Sequence, residues 1–599
     1  MERKNERKET NSFFNRVTVA ADMAAALFDE LPKREGKQPK FDNYEEYLAN
    51  NAPTHEQLEE QRENAAEPSP LISIAIVAKE CSGASLDATL ISLMAQTYTN
   101  WEACIMLGLE EKQLKRFNDT ANLRVVISSG TEKDLWRQAS AHMRGAYILQ
   151  LRPGDILSSE ALYLMMQSAI RNQDFEAVFA DEDALDDNGN RCQPIFKPEY
   201  GNVTVLTHNS IGSPLIISKR VFEAIGGFVG GTPLDRWQYA VRALRKARKT
   251  QHIARILLSS RNGNEWTDNA HAADVMESTV SGKKTSISCS TGKNTGTLKI
   301  NVDIGKEPQA SIIIPNIDSF DNLKRCVESI ELGSDYSNGY RIYIADDRRE
   351  DAELRRYLDA LKKTGTASLI SIGSKLSLPQ IINHCAKKAI NELLIFVNGS
   401  CEVTTPRFID EMKNLAMMRL SGAVGGKLIG PDGRIISVGE VIGINGWTGC
   451  PYRGEPDDTA DILKLSFTGL QRNVSAVSGA FMAIRGDIFM SAGMFDETLS
   501  MVGWDTEFCI RLMRRGYMNY FTPYAEAIMY GNIPSYGAAS KENLERCYDS
   551  FRQTLIEGDK YYNPNFDYAS SIPSLAVKPY PAAELNPFYQ TSAPNQGRS

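Results

Sequence analysis

The 599-residue sequence has no long apolar run, no closely spaced cysteine pair and no excess of positive charge. Its longest apolar runs, such as Leu393–Val397, have the length of a strand, so we expect no membrane-spanning helix. The ten cysteines lie scattered between Cys81 and Cys547 without a C-x-x-C pair, which argues against a disulfide framework or a zinc site and favours reduced thiols. Lys and Arg number 67 against 75 Asp and Glu, and this net charge of −8 argues against a nucleic-acid-binding protein.

The chain also lacks an apolar segment after its charged beginning, MERKNERKET, so we expect no secretory signal and a cytoplasmic protein. The basic cluster Arg242–Lys249 is typical of a solvated helix face, and peripheral contact with the inner face of the membrane stays open as the alternative. What the sequence does contain is 42% hydrophobic and 24% charged residues, which is enough apolar material for more than one hydrophobic core.

A strand–helix–strand pattern occurs twice in the chain. The apolar run Leu71–Val77 and the strand-like Trp101–Met106 flank a segment whose leucines recur with helical spacing. Ala310–Ile314 and Tyr340–Ala345 flank a helix of the same kind, and later matches follow in the same order. Because this pattern is typical of a parallel sheet, the sequence predicts two copies of one α/β unit.

The patterns divide the chain into five segments. These are a helical N-terminal extension (1–70), a first α/β domain (71–260), a connector (261–306), a second α/β domain (307–558) and a flexible C-terminal tail (559–599). The connector is rich in Ser, Thr, Gly, Asn and Lys, with a strand expected at Thr297–Ile304, and the tail is rich in Pro, Tyr, Asn and Ser.

Several long motifs resemble inverting, family 2 glycosyltransferases that use nucleotide sugars. In the first copy they are SLMAQTYTNWEACI, FADEDALDDNGN and HNSIG, and in the second copy VGGKLIGPDGRIISVGEVIG, RNVSAVSGAFMAIR and WDTEFCIRLMRRGY. The preamble YEEYLANNAPTHEQLEEQR is similar to the leader of tandem, rhamnan-type members. This resemblance implies an α/β protein with two tandem type A glycosyltransferase domains, each Rossmann-like with a mostly parallel sheet, after an N-terminal helical extension.

The resemblance implies sugar transfer from a nucleotide-diphosphate donor to a glycan or lipid-linked glycan acceptor in surface polysaccharide biosynthesis. A non-catalytic pseudoglycosyltransferase that binds glycan or nucleotide, or scaffolds a partner transferase, is the alternative. In the first copy the family's functional positions fall on Leu107 and on Arg152-Pro153-Gly154, which cannot bind a base or a metal ion. Asp235 is retained, and Asp181-Glu182-Asp183 is expected to be a solvated turn. We therefore expect the first domain to be inactive.

The second copy keeps more of the family's residues. The resemblance assigns nucleotide binding to Asp346, with Asp347 beside it, and the catalytic base to Asp505. The donor and acceptor cleft is assigned to the three residues Gly479, Trp504 and Glu507. Each assignment has a structural alternative, because an acidic turn can end any strand, an Asp can stabilise a helix N-terminus and a glycine can form a tight turn.

The metal-binding element departs most from the family. Asn398 and Glu402 match it, but Ser400 replaces the central Asp, and no histidine follows His384. Because neutral oxygens bind divalent cations less well than carboxylates do, we expect use of Mg²⁺ or Mn²⁺ to be weak or absent. A guanidinium such as that of Arg472 or Arg348 is the alternative partner for the diphosphate.

Overall fold

The protein was analysed as a computed structural model, which describes residues 41–64, 69–79, 81–108, 122–171, 175–186, 188–261, 269–281, 286–333, 335–373, 375–389, 392–458 and 462–589. It divides into two compact units. The first contains the described residues up to Tyr200 together with Asn209–Val275, and the second contains Gly201–His208 and the described residues from Met276 onward.

Strands and helices alternate along most of the described chain. The strands are β1 Ile72–Ala78, β2 Trp101–Leu107, β3 Leu123–Ile127, β4 Tyr147–Leu151, β5 Asp155–Leu157, β6 Ala177–Leu185, β7 Arg191–Ile195, β8 Leu215–Ser218, β9 Thr250–Ser260, β10 Ser286–Thr291, β11 Leu298–Asp303, β12 Ala310–Ile314, β13 Tyr340–Asp346, β14 Ala367–Ser371, β15 Leu393–Val397, β16 Cys401–Val403, β17 Ser421–Ile429, β18 Ile435–Ser437, β19 Val441–Ile442, β20 Thr448–Gly449, β21 Arg472–Val474, β22 Phe481–Arg485 and β23 Met518–Met529. The helices are α1 Tyr44–Asn51, α2 His55–Glu63, α3 Gly83–Met94, α4 Glu132–Ser140, α5 Ala161–Arg171, α6 Thr204–Thr207, α7 Lys219–Ile225, α8 Pro233–Lys246, α9 Asn269–Val280, α10 Phe320–Gly333, α11 Ala352–Thr364, α12 Leu378–Ala386, α13 Phe408–Ala416, α14 Ile462–Thr468, α15 Gly486–Ser491, α16 Trp504–Arg514 and α17 Lys541–Glu557.

The first unit is built on a sheet with the strand order β3-β2-β1-β4-β8-β6-β9-β5, and β7 pairs with β6. Strands β3, β2, β1 and β4 are parallel, and β8 is antiparallel to both of its neighbours. Every residue of β1 is buried, as expected for a strand covered on both faces. One face packs on the buried leucines of α3, Leu86, Leu90 and Leu93, whose helical spacing the sequence displays.

The second unit repeats this arrangement with the order β14-β13-β12-β15-β22-β17-β23-β16, while β18 pairs with β17 and β21 with β23. Strands β14, β13, β12 and β15 are parallel, and β22 is the antiparallel strand that follows them. The carboxyl ends of parallel strands meet at one edge of a sheet, where open α/β sheets bind their ligands. The predicted fold class, two α/β units with mostly parallel sheets after a helical segment, is confirmed.

The C-terminal segment differs from the expectation of a flexible tail. In its described part, residues 559–589, aromatic and small apolar side chains are buried in the second unit. They are Tyr561, Tyr562, Phe566, Tyr568, Leu575, Ala582 and Ala583. The expectation is wrong for this part because Pro, Asn and Ser form its turns while the apolar side chains supply a core; residues 590–599 lie outside the described residues.

The two other flanking segments are described in part. Helices α1 and α2 form the described part of the N-terminal extension, and residues 1–40 lie outside it. In the connector, β10 and β11 form an antiparallel hairpin, in which β11 covers the strand expected at Thr297–Ile304. Over the described residues, no helix combines the length and the apolar composition that crossing a membrane requires.

Candidate functional site

A cavity of about 400 Å³ opens at the carboxyl edge of the parallel strands in the second unit. Pro315, which follows β12, and Asn398, which follows β15, line its floor. Its walls come from five further segments of the same unit: 378–382, 440–453, 478–480, 501–506 and 529–537. The volume lies in the range of small-molecule sites, and its position is the one at which α/β sheets bind ligands.

Asp505 lies at the start of α16 and lines this cavity. One carboxylate oxygen accepts a hydrogen bond from the backbone N–H of Gly479 at 2.9 Å, and the other accepts one from the N–H of Thr506 at 2.9 Å. No cation among the described residues forms an ion pair with it. Burial raises the pKa of Asp505, and the two backbone donors act in the opposite direction. The carboxylate is therefore held in place by neutral donors and keeps its capacity to accept a proton.

Gly479 and Trp504 form the wall beside this carboxylate. A side chain at position 479 would overlap the six-membered ring of Trp504, so only glycine lets the indole approach the backbone here. The indole is held from its other side by Phe495, whose ring centroid lies 4.7 Å away in an edge-to-face arrangement. Both residues line the cavity, and their assignment to a donor and acceptor cleft stays a prediction.

Two charged residues of the cavity wall, Glu440 and Arg453, are not among the residues predicted from the sequence. Burial raises the pKa of Glu440 to about 7, and the nearby Asp505 adds to the shift. The exposed guanidinium of Arg453 forms no ion pair or side-chain hydrogen bond with the described residues. A signal for Glu440 is present in the sequence, because an acidic residue interrupts the otherwise apolar Val438–Ile442.

Two stacked aromatic rings form another part of the wall. The rings of Trp447 and Tyr536 lie 5.1 Å apart and are nearly parallel, with an interplanar angle of 8°. Phe588, from the C-terminal segment, packs edge-on against the same indole with 6.0 Å between the ring centroids. The cavity therefore combines flat apolar surfaces with carboxylates, a guanidinium and side-chain amides.

The C-terminal segment supports the loop Gly443–Arg453, which carries Trp447 and Arg453. Asn445 donates its N–H to the Tyr568 carbonyl at 2.7 Å, and Tyr452 donates its N–H to the Ser571 carbonyl at 2.7 Å. The buried amide of Asn586 donates to the Gly446 carbonyl at 2.5 Å. The segment that the sequence suggested to be a flexible tail thus forms the outer support of the cavity wall.

The two predicted nucleotide-binding carboxylates lie at the end of β13 and do not line the cavity. Both oxygens of Asp346 accept hydrogen bonds from Arg355, at 2.6 and 3.0 Å, and this guanidinium lowers the pKa of Asp346. Asp347 is paired with Arg349 at 2.6 Å, which lowers its pKa. Each carboxylate is already neutralised by an arginine of the same unit.

The residues predicted to bind a metal ion are engaged with protein partners. Asn398 accepts hydrogen bonds from the Ser400 N–H at 2.9 Å and from Asn316 at 3.2 Å. Ser400 donates its hydroxyl to Asp318. Among the described residues, no group of three or more His, Cys, Asp or Glu side chains is placed to hold a metal ion.

Glu402 has two partners of its own. It accepts a hydrogen bond from Tyr530 at 2.8 Å and lies 3.9 Å from the guanidinium of Arg325. That guanidinium stacks over the Tyr530 ring at 4.0 Å. The donor set does not fit a divalent cation, because the positions expected for its ligands hold amide and hydroxyl groups and a carboxylate next to a positive charge.

Three further residues singled out in the sequence, Glu507, Arg472 and Arg348, do not line the cavity. Glu507 does not line the cavity; it forms an ion pair with Arg511 at 2.7 Å, one helical turn later in α16. Arg472 is buried and donates to the carbonyls of Phe467 and Val438, so it does not reach a ligand in the cavity. Burial lowers its pKa to about 10. Arg348 also lies outside the cavity lining.

The corresponding edge of the first unit has different contacts. Leu107 is buried at the end of β2, and Arg152 is paired with Asp155 at 3.6 Å. Asp235 is the N3 residue of α8 and forms a capping box with Thr232. Its carboxylate therefore stabilises the start of this helix. The buried guanidinium of Arg236 donates to Ser213 at 3.0 Å, while two of its nitrogens have no partner.

The acidic sequence Asp181-Glu182-Asp183 lies within β6 and is buried, so the expectation of a solvated turn is wrong. The carboxylates are satisfied by partners from other elements. Asp181 contacts His252 at 2.7 Å, Glu182 lies 3.3 Å from the Lys197 ammonium, and Asp183 accepts from Tyr44 at 2.5 Å and from Arg191 at 2.6 Å. Buried charges require such pairing, and the sequence alone did not reveal these partners.

Comparison with known proteins identifies relatives but no defined family. No family profile matches the chain. The chain is 26% identical over 537 residues to the O-antigen biosynthesis protein RfbC of Myxococcus xanthus, a match that covers 86% of this chain and 42% of that protein. It is 27% identical over 489 residues to the uncharacterized protein y4gI of Sinorhizobium fredii, covering 76% and 52%. The chain thus spans about half the length of the curated relatives that it matches.

Among solved structures, the crystal structure of GalNAc-T7 with UDP, GalNAc and Mn²⁺ aligns with 42% of this chain and 49% of that chain. The identity is 17% and the TM-score is 0.35. Over most of its length, then, this chain is similar in sequence to an O-antigen biosynthesis protein, as the resemblance to tandem, rhamnan-type proteins implied; the narrower assignment to family 2 stays a prediction.

Proposed function

We propose that the second unit transfers a sugar from a nucleotide-diphosphate donor to a hydroxyl group of a glycan or lipid-linked glycan acceptor. The observation that carries this proposal is the carboxylate of Asp505, which faces a cavity of about 400 Å³ and is held by two backbone N–H groups instead of a cation. Such a carboxylate can act as a general base, because burial raises its pKa and no positive charge neutralises it.

In this reaction Asp505 takes the proton of the acceptor hydroxyl. The hydroxyl oxygen then bonds to the anomeric carbon of the donor, while the bond from that carbon to the diphosphate oxygen breaks. The nucleoside diphosphate leaves with the electron pair, and attack from the opposite side inverts the anomeric carbon. Trp504 and Gly479 border the space in which the sugar would lie.

The leaving diphosphate needs positive charge nearby, and the residues at the expected metal position do not fit a divalent cation. Arg453 is the cation of the described cavity lining, and a guanidinium binds phosphate oxygens in a bidentate arrangement. We therefore propose that Arg453 binds the diphosphate. We also propose that the base of the nucleotide docks at Asp346, with Asp347 beside it. Arg355, which forms an ion pair with Asp346, is part of the same docking edge.

The relation to RfbC supports a role in surface polysaccharide biosynthesis. Cytoplasmic placement agrees with the ten cysteines, all of which are free thiols. The neutralised carboxylates of the first unit support its role as a stabilising or acceptor-holding domain without transfer activity of its own.

The experiment is a panel of nucleotide sugars with glycan acceptors, scored by release of nucleoside diphosphate. Asp505→Asn should lower the rate by about 10²–10⁴-fold, the contribution of a general base, while donor affinity changes little. Asp235→Asn is the matched control, because Asp235 has the corresponding position in the first copy and serves a capping box. A variant Asp505→Asn with unchanged turnover would contradict the proposal.

A second candidate function is a glycan- or nucleotide-binding scaffold without transfer. The observation that favours it is the metal-like element, in which Ser400 and Asn398 bond to neighbouring side chains and backbone. If glycans or nucleotides bind with the same affinity to wild type and to Asp505→Asn, and no donor is turned over, this second function replaces the first.

A further inference from the structure

Glu440 is a carboxylate of the cavity that the proposed reaction does not use. It lies between β18 and β19, and its backbone bonds to Ala476 in both directions, at 2.8 and 3.3 Å. Its neighbours Val438 and Val441 are buried, so the backbone is fixed and the acidic side chain is the exception in an apolar stretch. The side chain of Glu440 lines the same cavity as Asp505.

Only part of the hydrogen-bonding capacity of this carboxylate is used within the protein. One oxygen accepts from the hydroxyl of Ser437 at 2.7 Å, and no other side-chain donor to the carboxylate is found among the described residues. A carboxylate can accept about four hydrogen bonds. Glu440 is half-buried, so its second oxygen is available to a ligand in the cavity, where binding would supply the missing donors.

The surroundings of Glu440 suit a sugar ring. Trp447 and Tyr536, which stack on one another, line the cavity with apolar aromatic surface, and such surface packs against the C–H groups of a sugar ring. Asn445 adds a side-chain amide and Arg453 a guanidinium on the same wall. An isolated hydroxyl on a lipid or on a protein side chain would leave the second oxygen of Glu440 without a donor, and an unpaired polar atom in a closed site lowers affinity.

We propose that Glu440 accepts a hydrogen bond from a second hydroxyl group of the acceptor, beside the one that Asp505 deprotonates, so that the acceptor class of this cavity is a sugar ring with neighbouring hydroxyls. The inference rests on the proposed function, since it names the acceptor of the same site. Glu440 is then a specificity-determining residue.

The test uses ligand binding, which does not depend on turnover. Methyl α-mannopyranoside, methyl α-glucopyranoside and their monodeoxy analogues are titrated into the full-length protein and followed by saturation-transfer NMR. Wild type should bind at least one parent glycoside about tenfold or more tightly than one of its deoxy analogues, as expected for a hydrogen bond to a charged group. Glu440→Gln should reduce this ratio to about threefold or less.

Glu455→Gln is the matched control, because Glu455 lies on the same segment but does not line the cavity. It should keep the wild-type ratio. The ratio in wild type should also fall on acidification through the pKa of Glu440, about 7, and stay constant in Glu440→Gln. The other charged or titratable groups that interact with Glu440 are Asp505, Arg453, Arg472 and the thiols of Cys450 and Cys509, and none of them is substituted in this comparison.

An unchanged ratio in Glu440→Gln, or a wild type that binds none of the glycosides, would overturn the inference. The proposed function fails separately, through unchanged turnover in Asp505→Asn. Transfer by wild type together with an unchanged ratio in Glu440→Gln would leave the function in place and remove only the role of Glu440.

Discussion

The carboxylates of the second unit differ in what neutralises them. Asp346, Asp347 and Glu507 are each paired with an arginine, whereas Asp505 is held by two backbone N–H groups. The sequence predicts only that each of the four lies at the end of a strand or near the start of a helix. It does not predict their partners, since Arg355 approaches Asp346 from another element, and pairing decides which carboxylate is left to accept a proton.

Gly479 offers a test of the wall beside Asp505. Gly479→Ala should lower the free energy of unfolding by about 1–3 kcal/mol, because its methyl group would overlap the Trp504 ring. The measurement is urea denaturation, with turnover assayed in parallel, and turnover should fall because the donor to Asp505 moves. Gly373→Ala is the control; its methyl group would meet only the Leu376 side chain, at 3.9 Å, and a change within about 0.5 kcal/mol is expected. Equal stability of both variants would contradict the described packing.

The turn between β15 and β16 holds two of the residues at the expected metal position, Asn398 and Ser400, and a test of metal dependence follows from their contacts. Donor affinity, measured by calorimetry, should fall less than about tenfold, or 1.4 kcal/mol, when millimolar Mn²⁺ is replaced by excess EDTA. The reason is that Ser400 and Asn398 are engaged with protein partners and Glu402 lies beside Arg325. Binding that disappears both in EDTA and in Glu402→Gln would reveal a working metal site.

At the scale of elements, the C-terminal segment shows what composition conceals. Its Pro, Asn and Ser suggested disorder, but Asn565, Asn563 and Asn586 are buried and hydrogen-bonded in turns between buried aromatic rings. The strands and helices of the two sheets were predictable because apolar periodicity reports burial directly. The support that the C-terminal segment gives to the loop Gly443–Arg453 could not be predicted, because it depends on contacts between segments far apart in the chain.

Asn586→Ala tests this support. Loss of the hydrogen bond to the Gly446 carbonyl should speed amide hydrogen exchange in residues 444–453 and lower the free energy of unfolding by about 1–3 kcal/mol. Hydrogen-exchange mass spectrometry provides the measurement. Glu584→Ala, an exposed change in the same turn, should exchange like wild type. Identical exchange of Asn586→Ala and wild type in this loop would argue against the support.

In the whole molecule, the two large sheets have corresponding strand orders, but different side chains lie at their carboxyl edges. In the first unit, Arg152 pairs with Asp155 and Lys197 with Glu182, and Arg152 and the buried Leu107 lie at positions where the resemblance implies ligands. In the second, a cavity contains Asp505 and Glu440. The division into an inactive first unit and an active second unit stays a prediction from single positions. Arg453 was not predicted, because the loop Gly443–Arg453 has no regular spacing, and Glu440 was not singled out although it interrupts an apolar stretch.

Glu440 also affects stability of the whole chain as pH changes. Its pKa is about 7 in the folded protein against 4.5 in the reference state. Between these values the folded state binds more protons than the unfolded state, so the free energy of unfolding falls as the pH rises. In Glu440→Gln, urea unfolding from about pH 5 to about pH 7 should show a shallower decline of the free energy of unfolding than in wild type. Parallel curves would contradict a raised pKa of Glu440.

The most direct test of the central claim is an experimental structure of the full chain with the nucleotide sugar that the donor panel identifies. Our account predicts the sugar ring in the cavity of the second unit, beside Trp504 and Gly479, with the anomeric carbon open to a hydroxyl held by Asp505. The diphosphate should contact Arg453, and the first unit should contain no donor. A donor bound in the first unit, or bound in the second with its anomeric carbon turned away from Asp505, would contradict the account.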